Sequence, residues 1–104
     1  MGDLAIFYRA LVRGEVFDDP RTLAVMMTSV GAKRSVGDTG MHNNALYLVR
    51  FGRWLCWGHA GFWGQLVAYC PENDVTFAWT FNQVAVSNDN MHKFANDLAA
   101  IVAP

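Results

Sequence analysis

The stretch that decides the fold is residues 45–81, which read ALYLVRF-GR-WLCW-GHAGFWG-QLVAYC-PEND-VTFAWTF. The apolar runs at 45–51, 54–57, 65–70 and 75–81 are short and rich in β-branched and aromatic residues, which is typical of β-strands. Gly52-Arg53 suits a two-residue hairpin turn. Because strands joined by short turns pair antiparallel, we predict a three-stranded antiparallel meander in this region.

Helical patterns flank this β-rich centre. Asp3 can cap a first helix that stops at Gly14, Asp19-Pro20 can begin a second that stops at Gly31, and residues 87–89 can cap a third. Apolar side chains recur in each helix at the spacing expected of one buried face. They are Leu4, Phe7, Tyr8 and Leu11, then Leu23, Met26, Met27 and Val30, and finally Met91, Phe94, Ala95, Leu98, Ile101 and Val102.

These elements predict an α+β fold with the order ααβββα, in which the three-stranded meander packs against the helices. Residues 31–44 are rich in turn-forming residues and predict a loop between the second helix and the sheet. No repeat or linker divides the chain. We therefore expect residues 1–104 to form a single domain.

Composition excludes several classes of protein. The 8 Lys and Arg residues against 9 Asp and Glu residues give a net charge of −1, which argues against a polybasic nucleic-acid binder. No apolar run approaches the ~20 residues that a membrane-spanning helix needs. The 53% hydrophobic share is high for so short a chain, since small domains bury a smaller fraction of their surface. We therefore expect part of the apolar surface to serve association.

Glycines surround one histidine in the centre of the chain. Gly58, Gly61 and Gly64 recur at every third position around His59. Glycine within a strand marks a bulge or a place where a ligand or another backbone approaches closely. The segment therefore has two interpretations, a hairpin with a packed histidine or one wall of a binding site.

Several segments resemble, in order, the C-terminal part of a known superfamily. They are residues 58–61 (Gly-His-Ala-Gly), residues 61–74, a strand ending at Phe81-Asn82-Gln83 and the terminal amphipathic helix. With the helical stretch at the N-terminus, they resemble the serine β-lactamase and penicillin-binding-protein superfamily. The closer resemblance is to class C β-lactamase-related and D-alanyl-D-alanine carboxypeptidase-like hydrolases. It covers nearly the whole chain but only the last part of that family's domain, so the resemblance implies that residues 1–104 are a single partial domain.

The resemblance implies roles for three residues. His59 and Gly61 would belong to the Lys-Thr-Gly or His-x-Gly wall of the catalytic cleft, which faces the substrate's carboxylate. Phe62 would supply a backbone N–H to the oxyanion hole, a role that does not depend on its side chain. Ala60 stands where the family usually has Ser or Thr, so the hydroxyl that also binds the carboxylate is missing.

The residues that begin the family's reaction are absent from this sequence. The nucleophile and its lysine partner lie in Ser-x-x-Lys, and none of Ser29, Ser35 and Ser87 has a lysine three positions later. Neither Tyr-x-Asn nor Ser-x-Asn occurs. Acyl-enzyme chemistry has no first step without an activated nucleophile. We therefore expect the chain alone to be inactive.

The two cysteines allow a disulfide across a hairpin or two buried free thiols, and we expect free thiols, because Cys is often fully buried. A zinc site could be drawn from Cys56, His59 and Cys70 with His42 or His92. It lacks the paired spacing of structural zinc ligands. We therefore predict neither a metal nor a cofactor.

Two functions follow from these observations. The first is the C-terminal segment of a serine hydrolase that acts on small amides or esters through an acyl-serine intermediate. The second is a non-catalytic structural or binding module that associates through an exposed sheet edge. Expected partners are a second copy of the chain or the missing N-terminal half of the domain, with no nucleic acid and no membrane span.

Overall fold

A computed structural model describes residues 1–28, 41–42, 46–84 and 87–102 of the protein. Its helices are α1 (Gly2–Val12), α2 (Pro20–Met27) and α3 (Asn88–Val102). Its strands are β1 (Met41–His42), β2 (Tyr47–Phe51), β3 (Trp54–Ala60), β4 (Gln65–Cys70) and β5 (Val75–Thr80). The Asp19 side chain accepts from Arg21 N–H at the start of α2, as the capping prediction requires. That helix ends at Met27 because Thr28 is extended, and the predicted stop at Gly31 lies outside the described residues.

The sheet is an antiparallel meander in the order β1-β2-β3-β4-β5. The α+β class and the meander are therefore confirmed, but the prediction of three strands is wrong, because four full strands and the two-residue β1 are present. Gly52 adopts a φ of 58°, which allows a tight turn between Phe51 and Trp54. The segments on either side of this turn thus form two separate strands. β3 also continues to Ala60, past the predicted end at Trp57.

One face of the sheet packs against α3. The buried cluster contains Phe51, Cys56, Ala68, Cys70, Phe77, Trp79, Ala95 and Ala99. The Phe51 and Phe77 rings meet edge to face, with centroids 5.2 Å apart. The predicted apolar stripe of α3 is correct at Ala95 and Leu98, but it missed the buried Ala99, and Ile101 near the helix end is 75% exposed.

Cys56 and Cys70 form a disulfide within this cluster, so the prediction of free thiols is wrong. The strand register explains the pairing. Trp57 lies opposite Tyr69, and the next pair along the ladder brings the two cysteines together with their Cα atoms 4.0 Å apart. Both side chains are fully buried.

We expect loss of this disulfide to lower the free energy of unfolding by about 3 kcal/mol, the usual effect of opening a loop of this length. Urea unfolding with and without a reducing agent measures the difference. The double variant Cys56→Ala/Cys70→Ala is the matched control, because the reducing agent has nothing to act on in it. Two free thiols in the denatured, unreduced protein would contradict the pairing.

An ion-pair network ties α1 to the turn between β4 and β5. Arg9 Nε and Nη2 donate to the two carboxylate oxygens of Asp74 at 2.9 Å each, and the buried Tyr69 hydroxyl donates to Oδ1 at 3.0 Å. Tyr69 alternates with Ala68 and Cys70 along β4, so it points to the face opposite α3. We infer that α1 covers this second face, where Leu11 is its buried residue.

The hydrogen bonds from Arg9 and Tyr69 lower the pKa of Asp74 to about 2, from an ordinary value of 3.8. Because the folded-state pKa is the lower one, the carboxylate stabilises the fold above about pH 4, and this contribution is lost as the pH falls towards 2. We expect wild-type stability in urea to fall more steeply over that interval than that of Asp74→Asn. Parallel profiles for the two proteins would contradict the network.

Candidate functional site

The β3–β4 hairpin brings together the three residues that the sequence singles out. His59 lies near the end of β3, opposite Val67, and Gly61 and Phe62 follow in the connecting loop. Two backbone hydrogen bonds hold the loop, which consists of residues 61–64. Gly61 N–H donates to the Gln65 carbonyl at 2.9 Å, and Gly64 N–H donates to the Gly61 carbonyl at 3.2 Å.

Gln65 and the end of β5 complete the support of this loop. The Gln65 side-chain oxygen accepts from Trp63 N–H at 2.9 Å. The Gly64 carbonyl accepts from Phe81 N–H at 3.2 Å, and the Trp63 carbonyl accepts from Gln83 N–H at 3.0 Å. The φ of 73° at Gly64 is the left-handed conformation that glycine adopts without strain. The loop is therefore a fixed part of the hairpin.

Phe62 differs from its neighbours in the loop. The amides of Gly61, Trp63 and Gly64 all donate to acceptors within the hairpin, whereas no acceptor for Phe62 N–H is found among the described residues. The Phe62 side chain is 73% exposed, and the adjacent Trp63 side chain is 51% exposed. The two rings meet edge to face, with centroids 5.4 Å apart. This corner of the molecule thus presents an amide donor beside two exposed aromatic rings.

Two contacts hold the imidazole of His59. Its Nδ1–H donates to the carbonyl of Ala60, which can only accept. Its ring stacks on Tyr47, with centroids 4.2 Å apart and planes 24° apart. Sequence reasoning missed Tyr47 because no motif marks it. The strand register, which sets Tyr47 opposite Gly58, is what brings β2 beside this histidine.

Most basic side chains of the described residues are paired with carboxylates. Four of the basic side chains are paired with carboxylates: Arg9 and Arg13 at Asp74 and Glu15, Arg21 at Asp19, and Lys93 at Asp97. Arg50 and Arg53 lie at the β2–β3 turn, which is the far end of β3 from His59. None of these four ion pairs includes a residue of the hairpin tip, residues 59–64.

The described residues support neither a metal site nor a membrane-spanning helix. Within them, no three His, Cys, Asp or Glu side chains converge as metal ligands, and no helix is long and apolar enough to cross a bilayer. Cys56 and Cys70 are bonded to each other, so they are not available to the zinc set drawn from the sequence.

Gly58 allows β3 to approach β4 closely enough to form this hairpin. A Cβ at this position would overlap the carbonyl oxygen of Val67 and lie 2.7 Å from the Cα of Ala68. Neither backbone atom can move without disturbing the ladder. The close packing of β3 against β4, the two strands that carry the site, therefore requires glycine at this position.

We expect Gly58→Ala to lower the free energy of unfolding by about 1–3 kcal/mol, the range for overpacking a core. Gly2→Ala is the matched control, because a Cβ at Gly2 meets nothing within 4 Å. Its effect should stay within about 0.5 kcal/mol. Chemical denaturation of both variants measures the difference, and equal stabilities would contradict the close approach.

The chain matches no protein-family model, and comparison with curated proteins and with solved structures finds no match either.

Proposed function

We propose that this chain forms the C-terminal part of a β-lactamase-related serine hydrolase, which cleaves amides or esters through an acyl-serine intermediate. In this proposal His59 and Gly61 line one wall of the cleft, and Phe62 N–H is one donor of the oxyanion hole. The serine nucleophile and its base would come from a polypeptide region outside these 104 residues.

The observation that carries the proposal is the Phe62 amide, which has no acceptor among the described residues although its neighbours in the loop do. An oxyanion hole needs donors that are fixed in place and not already used by the fold. The rigid hairpin meets the first requirement, and the unused amide meets the second. The amide also directly follows His59-Ala60-Gly61, which is its position in the family that the sequence resembles.

The chemistry assigned to this wall is electrostatic. When a serine oxygen attacks the substrate carbonyl, the carbonyl oxygen gains negative charge, and Phe62 N–H would donate a hydrogen bond to it. Collapse of this intermediate expels the leaving group with a proton and leaves an acyl-serine. Water then releases the acid and restores the serine. The side chain of Phe62 takes no part in these steps.

A second candidate function is a non-catalytic module that docks through an exposed sheet edge. The observation in its favour is exposed apolar surface. Ile6 on α1 is 70% exposed, and Phe62 and Trp63 form an exposed aromatic pair at the hairpin tip. Such surface commonly marks an interface. Docking and catalysis differ in one requirement, because docking through side chains needs Phe62 itself and catalysis needs only its N–H.

That difference defines the test. The chain is fused behind the N-terminal part of a β-lactamase-related hydrolase, in place of that enzyme's own C-terminal segment, and p-nitrophenyl ester hydrolysis is measured. Phe62→Pro removes the N–H, and proline suits this position, the second residue of the Gly61–Gly64 turn. We expect a loss of about 10²–10³ in kcat for Phe62→Pro. Phe62→Ala, the matched control, keeps the donor and should stay close to wild type.

Equal activities of the two variants would contradict the assignment of Phe62. A folded fusion protein that neither hydrolyses the ester nor is labelled by a fluorophosphonate, a serine-reactive probe without a carboxylate, would contradict the hydrolase proposal and favour the docking module. The chain alone should give neither labelling nor turnover, since it has no Ser-x-x-Lys.

A further inference from the structure

The hydrogen bond between His59 and Ala60 determines which imidazole nitrogen remains for a ligand, and whether that nitrogen donates or accepts. Nδ1 must carry a proton to donate to the carbonyl of Ala60. In the neutral ring, Nε2 then carries a lone pair and accepts hydrogen bonds. The nitrogen that remains for a ligand is therefore an acceptor. A lysine at the same place would present a cationic donor instead.

Tyr47 adds a second restraint on the same ring. The stacked arrangement limits rotation of the imidazole about its side-chain bonds, which would otherwise exchange the two nitrogens. Burial and the charge of Tyr47 raise the pKa of Tyr8 on α1. The stacked Tyr47 and His59 rings thus link β2 to β3 beside the hairpin.

A substrate carboxylate would find little to bind beside His59, because the unused Phe62 N–H is assigned to the reacting carbonyl oxygen. It needs N–H or O–H donors or a positive charge, and it is repelled by an acceptor lone pair. Nε2 of neutral His59 is such an acceptor, Ala60 has no hydroxyl, and four basic side chains of the described residues are already paired with carboxylates. An amide N–H or a hydroxyl of an uncharged substrate, in contrast, could donate to Nε2.

We propose that this wall selects uncharged amide or ester substrates that donate a hydrogen bond to His59 Nε2, and that Tyr47 is the positioning residue that keeps this nitrogen an acceptor. The inference rests on the proposed function and names its substrate class. It replaces the carboxylate recognition that the sequence resemblance implies.

The positioning role of Tyr47 is tested on the 104-residue chain without any activity. Long-range ¹H–¹⁵N NMR spectra of the neutral imidazole distinguish Nδ1–H from Nε2–H. We expect Nδ1–H in the wild type and in Tyr47→Phe, which keeps the ring. Tyr47→Leu should show a mixture, with backbone spectra confirming that the protein is folded. An Nε2–H wild type, or a Tyr47→Leu spectrum unchanged from wild type, would overturn the positioning role.

Substrate selection is tested on the fusion protein by comparing two p-nitrophenyl esters that differ only by a carboxylate beside the scissile bond. We expect kcat/KM to favour the uncharged ester by about 10-fold or more. The double variant His59→Lys/Ala60→Thr introduces a cation and a hydroxyl, so its preference should move towards the carboxylate.

The outcomes separate the two proposals. Activity with a wild-type preference for the carboxylate, or an unchanged preference in the double variant, would overturn the substrate class and leave the hydrolase assignment standing. No hydrolysis of either ester by a folded fusion protein would contradict the hydrolase assignment and, with it, the substrate class. The NMR result on Tyr47 would still be valid in that case.

Discussion

The close pairing of β3 with β4 is the constraint on which the rest of the structure depends. Gly58 permits it, because any side chain at that position would overlap the backbone of β4. The register that results sets Cys56 beside Cys70 in the core and His59 opposite Val67 at the other end of the strand. One backbone contact therefore determines both the covalent link within the core and the position of the candidate site.

The same hairpin explains why a small chain can hold a rigid site at its surface. Its loop is fixed by hydrogen bonds to Gln65 and to the end of β5, so the Phe62 amide is held without contributing to the fold. The disulfide lies a few residues away along the same two strands. The disulfide and part of the buried core thus lie in the two strands that carry the unused donor at their end. This division is what a preorganised electrostatic site requires.

The sequence predicted the α+β class, the meander and the hairpin at His59 because these depend on local patterns of apolar residues and glycines. The strand count failed at Gly52, since the segments on its two sides were not counted as separate strands. The disulfide and the stacking of Tyr47 on His59 depend on which residues face each other across the sheet. That register is set by tertiary packing and cannot be obtained from single segments.

The central claim is that Phe62 N–H binds the oxygen that becomes charged in the reaction. A crystal structure of the fusion protein with a phosphonate bound covalently to its serine tests this most directly. The claim predicts one phosphonate oxygen about 2.7–3.1 Å from the Phe62 nitrogen. A phosphonate whose oxygens all point away from this amide, with the hairpin unchanged, would contradict it.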